Sequence, residues 1–536
     1  MNLRLSGKRL LQTTLAILAL ACLVQTTGWA ESYSGGKQEK KKDGRKGYGR
    51  RSSLPRRLSD SHFAVVQDRW RLQLPAWDRY PREGSLLDPY NQNVLKGDFP
   101  VINDDIFFVL TLVSDTKADF TNKEQGQLDD DALTVDEKFF ASFELFRGKT
   151  VFKPKDWSFK LTSAFDINLQ KPNGNSENDE LQGDVAVQEA FVEKKLFDVG
   201  PYFDSTSFRA GRQAFLSDFR GFIFNDATQG GLLFGNLQSN RIQWNFGTFF
   251  QQEKDAVSGF NEFESRNQSV IIANFFYQDL IWEGFLSEVS FHYNRDRKTG
   301  NDLDAYLIGF AGDGHIGRYE VAPAFYYAFG EQENNFLAGQ NVDISAWLLA
   351  LEVSLPHDWL EWLASFAYAS GDDNPNDGDA EGFDGIFDNP NFAGNGFSFW
   401  VANALNVNGL GLVNGNSFYP NLRGKGAQAS NYVNPGIVIG NLGLDAKFTP
   451  KTIAFFNLNY FAFAETEPVE ARFGVNNVGT SIGFEYSAAV QYRPFLNENV
   501  IFTVSASALH PGDGLEDLTG NDDMMYSIFV ALTLVY

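Results

Sequence analysis

The sequence predicts an all-β protein, a transmembrane antiparallel up-and-down β-barrel of about 18 strands, within a range of about 16 to 18. Three observations predict this fold: repeated period-two alternation, short turns at one end of the strands with long polar segments at the other, and an apolar face that runs up to Tyr536. The chain holds 51 phenylalanines, 19 tyrosines and 10 tryptophans at a mean hydropathy of −0.27. Strands with one face toward lipid and one toward water have this composition.

Residues 1–30 have the pattern of a cleaved secretory signal peptide. Three basic residues precede an apolar stretch, small residues follow it, and we expect cleavage after Ala30. The apolar stretch is too short to favour a membrane-spanning helix. Cys22, the single cysteine, lies inside this segment, so the mature chain would lack disulfides, thiolate metal sites and c-type haem attachment.

The chain divides into a basic N-terminal part and an acidic remainder. Residues 1–60 hold 13 of the 45 lysines and arginines but 4 of the 68 acidic residues, which leaves residues 61–536 with a balance of −32. Residues 31–60 are basic and nearly free of large apolar side chains, which predicts a disordered periplasmic tail, a solvated linker or a contact for a periplasmic partner. Residues 61–104 alternate less well and predict an irregular lead-in to a barrel spanning residues 105–536.

Three segments carry the alternation most clearly: residues 157–169, 241–251 and 285–294. In each, large apolar side chains occupy one set of alternate positions and polar side chains the other, so each set lies on a single face of a strand. Tight polar turns are predicted at residues 356–358, 449–451 and 238–240. Long polar loops are predicted at residues 116–136, 170–183, 252–267, 371–435 and 466–479.

The last alternating segment ends at Tyr536, and stepping back by twos gives an unbroken apolar face to Tyr526. This pattern is similar to the last strand of outer-membrane barrels, so Tyr536 is the candidate assembly signal read by the barrel-assembly machinery. In a soluble protein an exposed apolar edge of this kind would favour aggregation.

Several stretches resemble a known family. They are Gly211-Arg212-Gln213 with the later Asp218 and Asp226-Ala227-Thr228, and the segments at residues 326–330 and 368–372. They resemble the alginate-export family of outer-membrane porins, loosely over residues 137–536. The resemblance implies an 18-stranded barrel that exports an anionic polysaccharide through a basic constriction. The acidic balance of this chain departs from that pattern.

Five residues are candidates for the lining of a pore: Arg212, Arg209, Arg241, Lys160 and Glu288. Alternation alone would turn Arg212 toward lipid, at a cost of about 2–4 kcal/mol near the midplane. We therefore expect either that a bulge at Gly211 turns Arg212 inward or that the strand ends there. We favour a lumenal Arg212, and the alternative is an arginine at the rim that makes a salt bridge. The expectation is then a weak anion preference at high salt, shifting toward cations at low salt.

An acidic segment suggests a calcium loop. With Asp373 as the first position, the candidate ligands, spaced around a glycine turn, are Asp373, Asp377, Asp379, Glu381 and Asp384. Pro375 and the aspartate at the last position depart from the usual calcium loop, and a solvated acidic surface loop is the alternative. The aromatic segment that follows, residues 387–397, is expected to fold inward over the pore or to pack on a neighbouring loop.

The sequence favours transport over catalysis. It lacks the G-x-S-x-G, H-E-x-x-H and P-loop motifs, and its five histidines are scattered, so we expect no enzyme and no cofactor besides the candidate Ca²⁺. We expect a Gram-negative-type outer-membrane porin or export channel for a small or polymeric hydrophilic solute, with membrane lipid around it and no nucleic-acid partner. The alternative is a barrel that sheathes a separate protein, such as a multihaem cytochrome.

Overall fold

The computed structural model describes residues 93–125, 128–148, 154–172, 180–200, 204–255, 258–297, 302–402, 406–407, 410–411, 430–495 and 498–536. Contacts divide the chain into two units, Met1–Ser61 and His62–Tyr536, and the described residues belong to the second. The predicted signal peptide (1–30), basic tail (31–60) and most of the lead-in lie outside the described residues and stay predictions. Within the lead-in, residues 96–102 form a strand rather than irregular chain.

Eighteen antiparallel strands close into a barrel, which confirms the predicted fold class. Each strand pairs with its neighbour in sequence, and β22 returns to pair with β2, from Val113 opposite Val535 to Asn122 opposite Tyr526. β1 adds to β2 at one end of this seam, and the two-residue β15 pairs in parallel with β13. The strands are β1 (Lys96–Ile102), β2 (Ile106–Gln125), β3 (Leu128–Arg147), β4 (Trp157–Pro172), β5 (Glu180–Asp198), β6 (Ser205–Leu216), β7 (Asn225–Leu237), β8 (Ile242–Lys254), β9 (Asn261–Gln278), β10 (Phe285–Asp296), β11 (Leu303–Ile316), β12 (Tyr319–Gln332), β13 (Val342–His357), β14 (Leu360–Ala369), β15 (Asp379–Ala380), β16 (Asn406–Val407), β17 (Leu410–Gly411), β18 (Ile437–Thr449), β19 (Thr452–Ala462), β20 (Ser481–Tyr492), β21 (Val500–Pro511) and β22 (Met525–Val535).

Among the residues that the structure describes, helical structure is confined to connections at one end of the barrel. The described helices are α1 (Phe399–Ala402), α2 (Glu467–Phe473) and α3 (Asp513–Thr519), with a 3-10 turn at Asn395–Phe397. Within the described part of the chain, no helix combines the length and apolarity needed to cross a membrane.

The lengths of the connections follow the predicted asymmetry, with two corrections. The predicted loop at residues 252–267 is shorter, because β8 runs to Lys254 and β9 begins at Asn261. Tight turns join β7 to β8, β13 to β14 and β18 to β19, as predicted, and the longest connection, residues 370–436, lies at the opposite end. The predicted loop at residues 116–136 is wrong: residues 116–125 belong to β2 and residues 128–136 to β3, and the two strands pair over their whole length. Their polar alternate positions face the interior, so a polar composition here marks the wet face of two strands and not a loop.

The outer face of the wall is mostly apolar, whereas its inner face differs from side to side. On β13, Trp347 and Leu349 are exposed outward at 38% and 41%, while the alternating Ala346 and Leu348 are fully buried inward. The inner face of β13 is apolar because segments of the chain pack on it inside the barrel, and a strand covered on both faces is apolar on both.

A seam joins the two ends of the barrel. The backbone N–H groups of Leu112 and Tyr536 donate to each other's carbonyl oxygens at 3.0 and 2.8 Å. Asn93 Nδ2 donates to the Tyr536 hydroxyl at 3.0 Å, and Lys96 Nζ lies 4.8 Å from the centre of the Tyr536 ring. The segment before β2 thus holds the aromatic residue at the end of β22.

Candidate functional site

The interior of the barrel contains a plug formed by residues 217–224, 383–402 and 430–436. Its first two segments run side by side: the N–H of Phe387 donates to the Ile223 carbonyl at 3.0 Å, and the N–H of Asn389 to the Gly221 carbonyl at 3.0 Å. Gly221 has a φ of +80°, and a Cβ there would lie 2.6 Å from the Asn389 carbonyl oxygen, so this close pairing requires glycine.

The plug packs into one apolar core with the inner faces of many strands. Trp400, Tyr432 and Phe383 of the plug are fully buried, in the same cluster as Ile272 of β9 and Leu348 of β13. The expectation that residues 387–397 fold inward is confirmed by this packing and by the ribbon with residues 220–225. The core includes residues of β7 to β9, β11 to β14 and β18 to β20, so the plug occupies this side of the lumen.

The opposite side of the lumen carries a charged ladder on the inner faces of β2 to β6. In register, Asp115 lies opposite Lys138, which lies opposite Asp166, and Lys117 lies opposite Asp136. The ladder consists of Asp115, Lys117 and Asp119 on β2, Asp136 and Lys138 on β3, Lys160 and Asp166 on β4, Glu189 and Glu193 on β5, and Arg209 on β6.

Every cation of the ladder is paired with a carboxylate. Lys117 Nζ lies 2.9 Å from Asp119 and Lys138 Nζ lies 3.2 Å from Asp136. Four cations face six carboxylates in this set, so pairing leaves a net negative inner surface. The remaining two pairs are Lys160 with Glu189 and Arg209 with Glu193, each at 2.7 Å.

The ladder meets the plug at an aromatic edge. The Phe397 ring, in the 3-10 turn of the plug, lies 6.3 Å from the Phe529 ring of β22 and 5.1 Å from the Phe455 ring of β19. Lys117 Nζ lies 4.5 Å from the centre of the Phe529 ring. The lumen is therefore bounded by charge on one side and by aromatic side chains on the other.

Two of the five predicted pore-lining residues, Lys160 and Arg209, lie on this ladder. Glu288 also faces inward, on β10, but it is fully buried. Arg241 does not line the lumen: it lies in the turn between β7 and β8, half-exposed, with a guanidinium nitrogen 3.9 Å from Asp279. The alternating segment predicted at residues 241–251 begins one residue too early, because β8 begins at Ile242.

The structure does not support a lumenal Arg212. Its side chain is 7% exposed, and its guanidinium donates to the carbonyls of Val187 on β5 and Glu262 on β9. No register shift occurs at Gly211, although the pairing of β6 with β5 does end at Arg212. Arg212 thus bridges β5 and β9 at the point where the pairing of β5 with β6 ends, instead of presenting charge to the lumen.

Asp372, outside the predicted calcium ligands, organises the acidic segment. Its carboxylate accepts the N–H groups of Asn374 at 3.1 Å and Glu381 at 3.2 Å, and burial raises its pKa to about 7 against these hydrogen bonds. Asp384 is fully buried and accepts the N–H of Asn431 at 2.8 Å.

The calcium site gains no support from this arrangement. Among the residues that the structure describes, no group of three or more His, Cys, Asp or Glu side chains is placed to hold a metal ion. Asp373, Asp377, Asp379, Glu381 and Asp384 are all described, so calcium binding stays a prediction without a gathered ligand set.

Comparisons with known proteins give structural likeness at low identity. No protein-family model matches the chain, and no curated protein gives a match. The chain is similar to OccK9 (OpdG) of Pseudomonas aeruginosa, at 11% identity and a TM-score of 0.48, over 80% of this chain and 98% of that chain. It is similar to OccAB1 of Acinetobacter baumannii, at 12% identity and a TM-score of 0.48, over 80% and 96%.

A BenF-like porin from Pseudomonas fluorescens Pf-5 matches at 10% identity and a TM-score of 0.47, over 80% of this chain and 98% of that chain. These likenesses go no further than the fold, and the barrel itself rests on the strand pairing described above. The resemblance to the alginate-export family gains no support from these matches and stays a prediction.

Proposed function

We propose that this protein is an outer-membrane channel of the porin type, through which small hydrophilic solutes pass without an energy source. The observation that carries the proposal is the contrast between the two faces of β2 to β6. Their inner face is the charged ladder, whereas Phe139 and Phe165 are exposed outward at 36% and 42%. A wall that is aromatic outside and charged inside fits lipid on one side and water on the other.

The plug favours a small solute over a polymer or a protein partner. An anionic polysaccharide would need a wide passage, and a sheath for a cytochrome would need most of the lumen. In the described part of the chain, one side of the interior is already filled by Phe383, Trp400, Tyr432 and their neighbours, all fully buried. The remaining path runs between the ladder and the plug edge at Phe397.

The ladder favours cations. Fixed charges at a narrow passage decide selectivity more strongly than charges in open loops, because water and salt screen the latter beyond about 8 Å at physiological ionic strength. The ladder is net acidic and Arg212 is buried, so we expect cation preference at high salt as well as at low salt. This replaces the anion preference expected from the sequence.

Reversal potentials across a salt gradient in planar bilayers test the proposal. Asp115→Asn removes a carboxylate that accepts a hydrogen bond from Thr533 at 2.7 Å, and it should reduce cation preference. Lys138→Gln should increase it. Arg241→Gln, a change of the same charge in a half-exposed turn, is the matched control and should leave selectivity unchanged. Equal shifts for Lys138→Gln and Arg241→Gln would contradict the ladder as the selectivity element, and a heat-modifiable barrel without conductance would favour the sheath.

A further inference from the structure

A patch of polar side chains is buried between the barrel wall and the plug. On the inner face of β10, Glu288 is fully buried and Ser290 is 2% exposed; Asn274 on β9 is 3% exposed. Both carboxylate oxygens of Glu288, the Ser290 hydroxyl and the Asn274 amide oxygen lack a hydrogen-bond partner among the described residues. Buried polar atoms are nearly always bonded, so four unpartnered oxygens in one patch point to a bound species.

Strand register brings these oxygens together. Ser290 lies directly opposite Asn274, and Glu288 lies two residues before Ser290 on the same face of β10. Side chains opposite each other have Cβ atoms about 5 Å apart, and a step of two residues covers about 7 Å. The Asn274 amide donates to the carbonyl of Ser217, so the plug crosses the wall at this patch.

The charges at the patch are of one sign. The Asp218 carboxylate of the plug has the same sign as that of Glu288, and it follows Ser217, the plug residue to which Asn274 donates. The nearest basic residues of the plug and of β9 have their own carboxylates: Arg220 lies 2.9 Å from Glu352, and Arg266 lies 2.7 Å from Asp296. Two buried carboxylates without a cation are strongly unfavourable, and water would supply hydrogen bonds but no compensating charge.

We propose that Glu288, Ser290 and Asn274 hold a monovalent alkali cation, which fastens the plug to the wall. Carboxylate, hydroxyl and amide oxygens are hard ligands of the kind that such cations take. A divalent ion fits less well, because among the described residues no group of three or more His, Cys, Asp or Glu side chains is placed to hold a metal ion. This site adds a property to the proposed channel: the position of the plug in the lumen depends on which salt is present.

Binding of rubidium-86 to the purified protein in detergent at pH 8, with choline chloride as the background salt, tests the site. The wild-type protein should retain about one Rb⁺ per chain that excess KCl displaces, and Glu288→Gln should abolish this binding. Glu320→Gln is the matched control, since Glu320 is a carboxylate of β12 that already accepts a hydrogen bond from Ser354 at 3.3 Å. It should bind Rb⁺ as the wild type does.

A second readout follows the plug itself. In KCl the plug should resist protease several-fold longer than in choline chloride at equal ionic strength, and Glu288→Gln should remove the difference. Ser290→Ala, which keeps the carboxylate, should weaken Rb⁺ binding without abolishing it, and this guards against misfolding of the first variant. Heat-modifiable wild-type protein that binds no displaceable Rb⁺, or that binds it equally after Glu288→Gln, would overturn the proposal.

Discussion

Asp218 is the residue on which the shape of the first plug segment depends. Its carboxylate accepts the backbone N–H groups of Arg220 at 2.9 Å, Gly221 at 2.6 Å, Phe222 at 3.1 Å and Ile223 at 3.1 Å. The residues that donate are buried or half-buried, so nothing else in the described structure replaces the carboxylate. We expect Asp218→Ala to release residues 217–224 from the lumen.

The magnitude follows from the number of donors. A buried N–H left without a partner costs about 1–3 kcal/mol, so four such groups would cost about 4–12 kcal/mol. That range overlaps the stability of a whole domain, about 5–15 kcal/mol, so the segment should open instead of keeping four unpaired donors buried. Asp218→Asn keeps Oδ1, which serves three donors, and puts an amide group against the N–H of Ile223. The loss of one bond, about 1–3 kcal/mol, should favour opening about 5-fold to 100-fold.

Limited proteolysis of the folded barrel and single-channel conductance measure this effect. Cleavage within residues 217–224 should rise from wild type to Asp218→Asn to Asp218→Ala, and mean conductance should rise in the same order as the plug leaves the lumen. Asp279→Asn is the control, because Asp279 caps the turn after β9 by accepting the N–H of Gly284 at 2.8 Å, away from the plug. If Asp218→Ala left the segment as protected as in the wild type, the argument from the four hydrogen bonds would be refuted.

Two further perturbations test other parts of the barrel. Burial raises the pKa of Asp372 to about 7 from an ordinary value of 3.8. The contribution of Asp372 to stability is therefore full below about pH 4 and is lost as the pH rises through 7. Proteolysis of residues 371–382 should be faster at pH 8 than at pH 5, and Asp372→Asn should remove that difference. Tyr536→Asp should sharply reduce the heat-modifiable fraction in outer membranes, because it loses the ring beneath Lys96 and the hydroxyl bonded to Asn93, whereas Tyr536→Phe loses the hydroxyl alone and should assemble better. Equal assembly of both Tyr536 variants would argue against the ring as the required feature.

The fold could be predicted from the sequence because alternation is a local property of each strand. In β10, Val289 and Phe291 are exposed outward, while Ser290 and His292 are buried inward, as their order along the chain predicts. The inward folding of residues 387–397 could be predicted as well, since an aromatic segment in a polar loop needs something to pack against.

The candidate site was harder to predict because it depends on which strands face the plug. The polar composition around Lys117 predicts a loop, although Asp115, Lys117 and Asp119 stand at alternate positions, as they would on one face of a strand. Apolar inner positions on β13, such as Leu348, were the available sign that part of the wall packs on protein and not on water. Arg212 could not be placed from sequence, because its partners lie on β5 and β9, which three intervening strands separate along the chain.

The seam between β2 and β22 also has a consequence for the order of folding. The Asn93 amide and the Tyr536 hydroxyl that it contacts are separated by 443 positions in sequence. Bringing the ends of so long a segment together costs about 5 kcal/mol of chain entropy beyond a constant term. Hairpins between consecutive strands have a far smaller entropic cost. The intervening strands should therefore pair first, and the seam between β2 and β22 should form last. Until then β2 and β22 are two unpaired edges, and the slowest stage of assembly is also the one in which the chain is most exposed to aggregation.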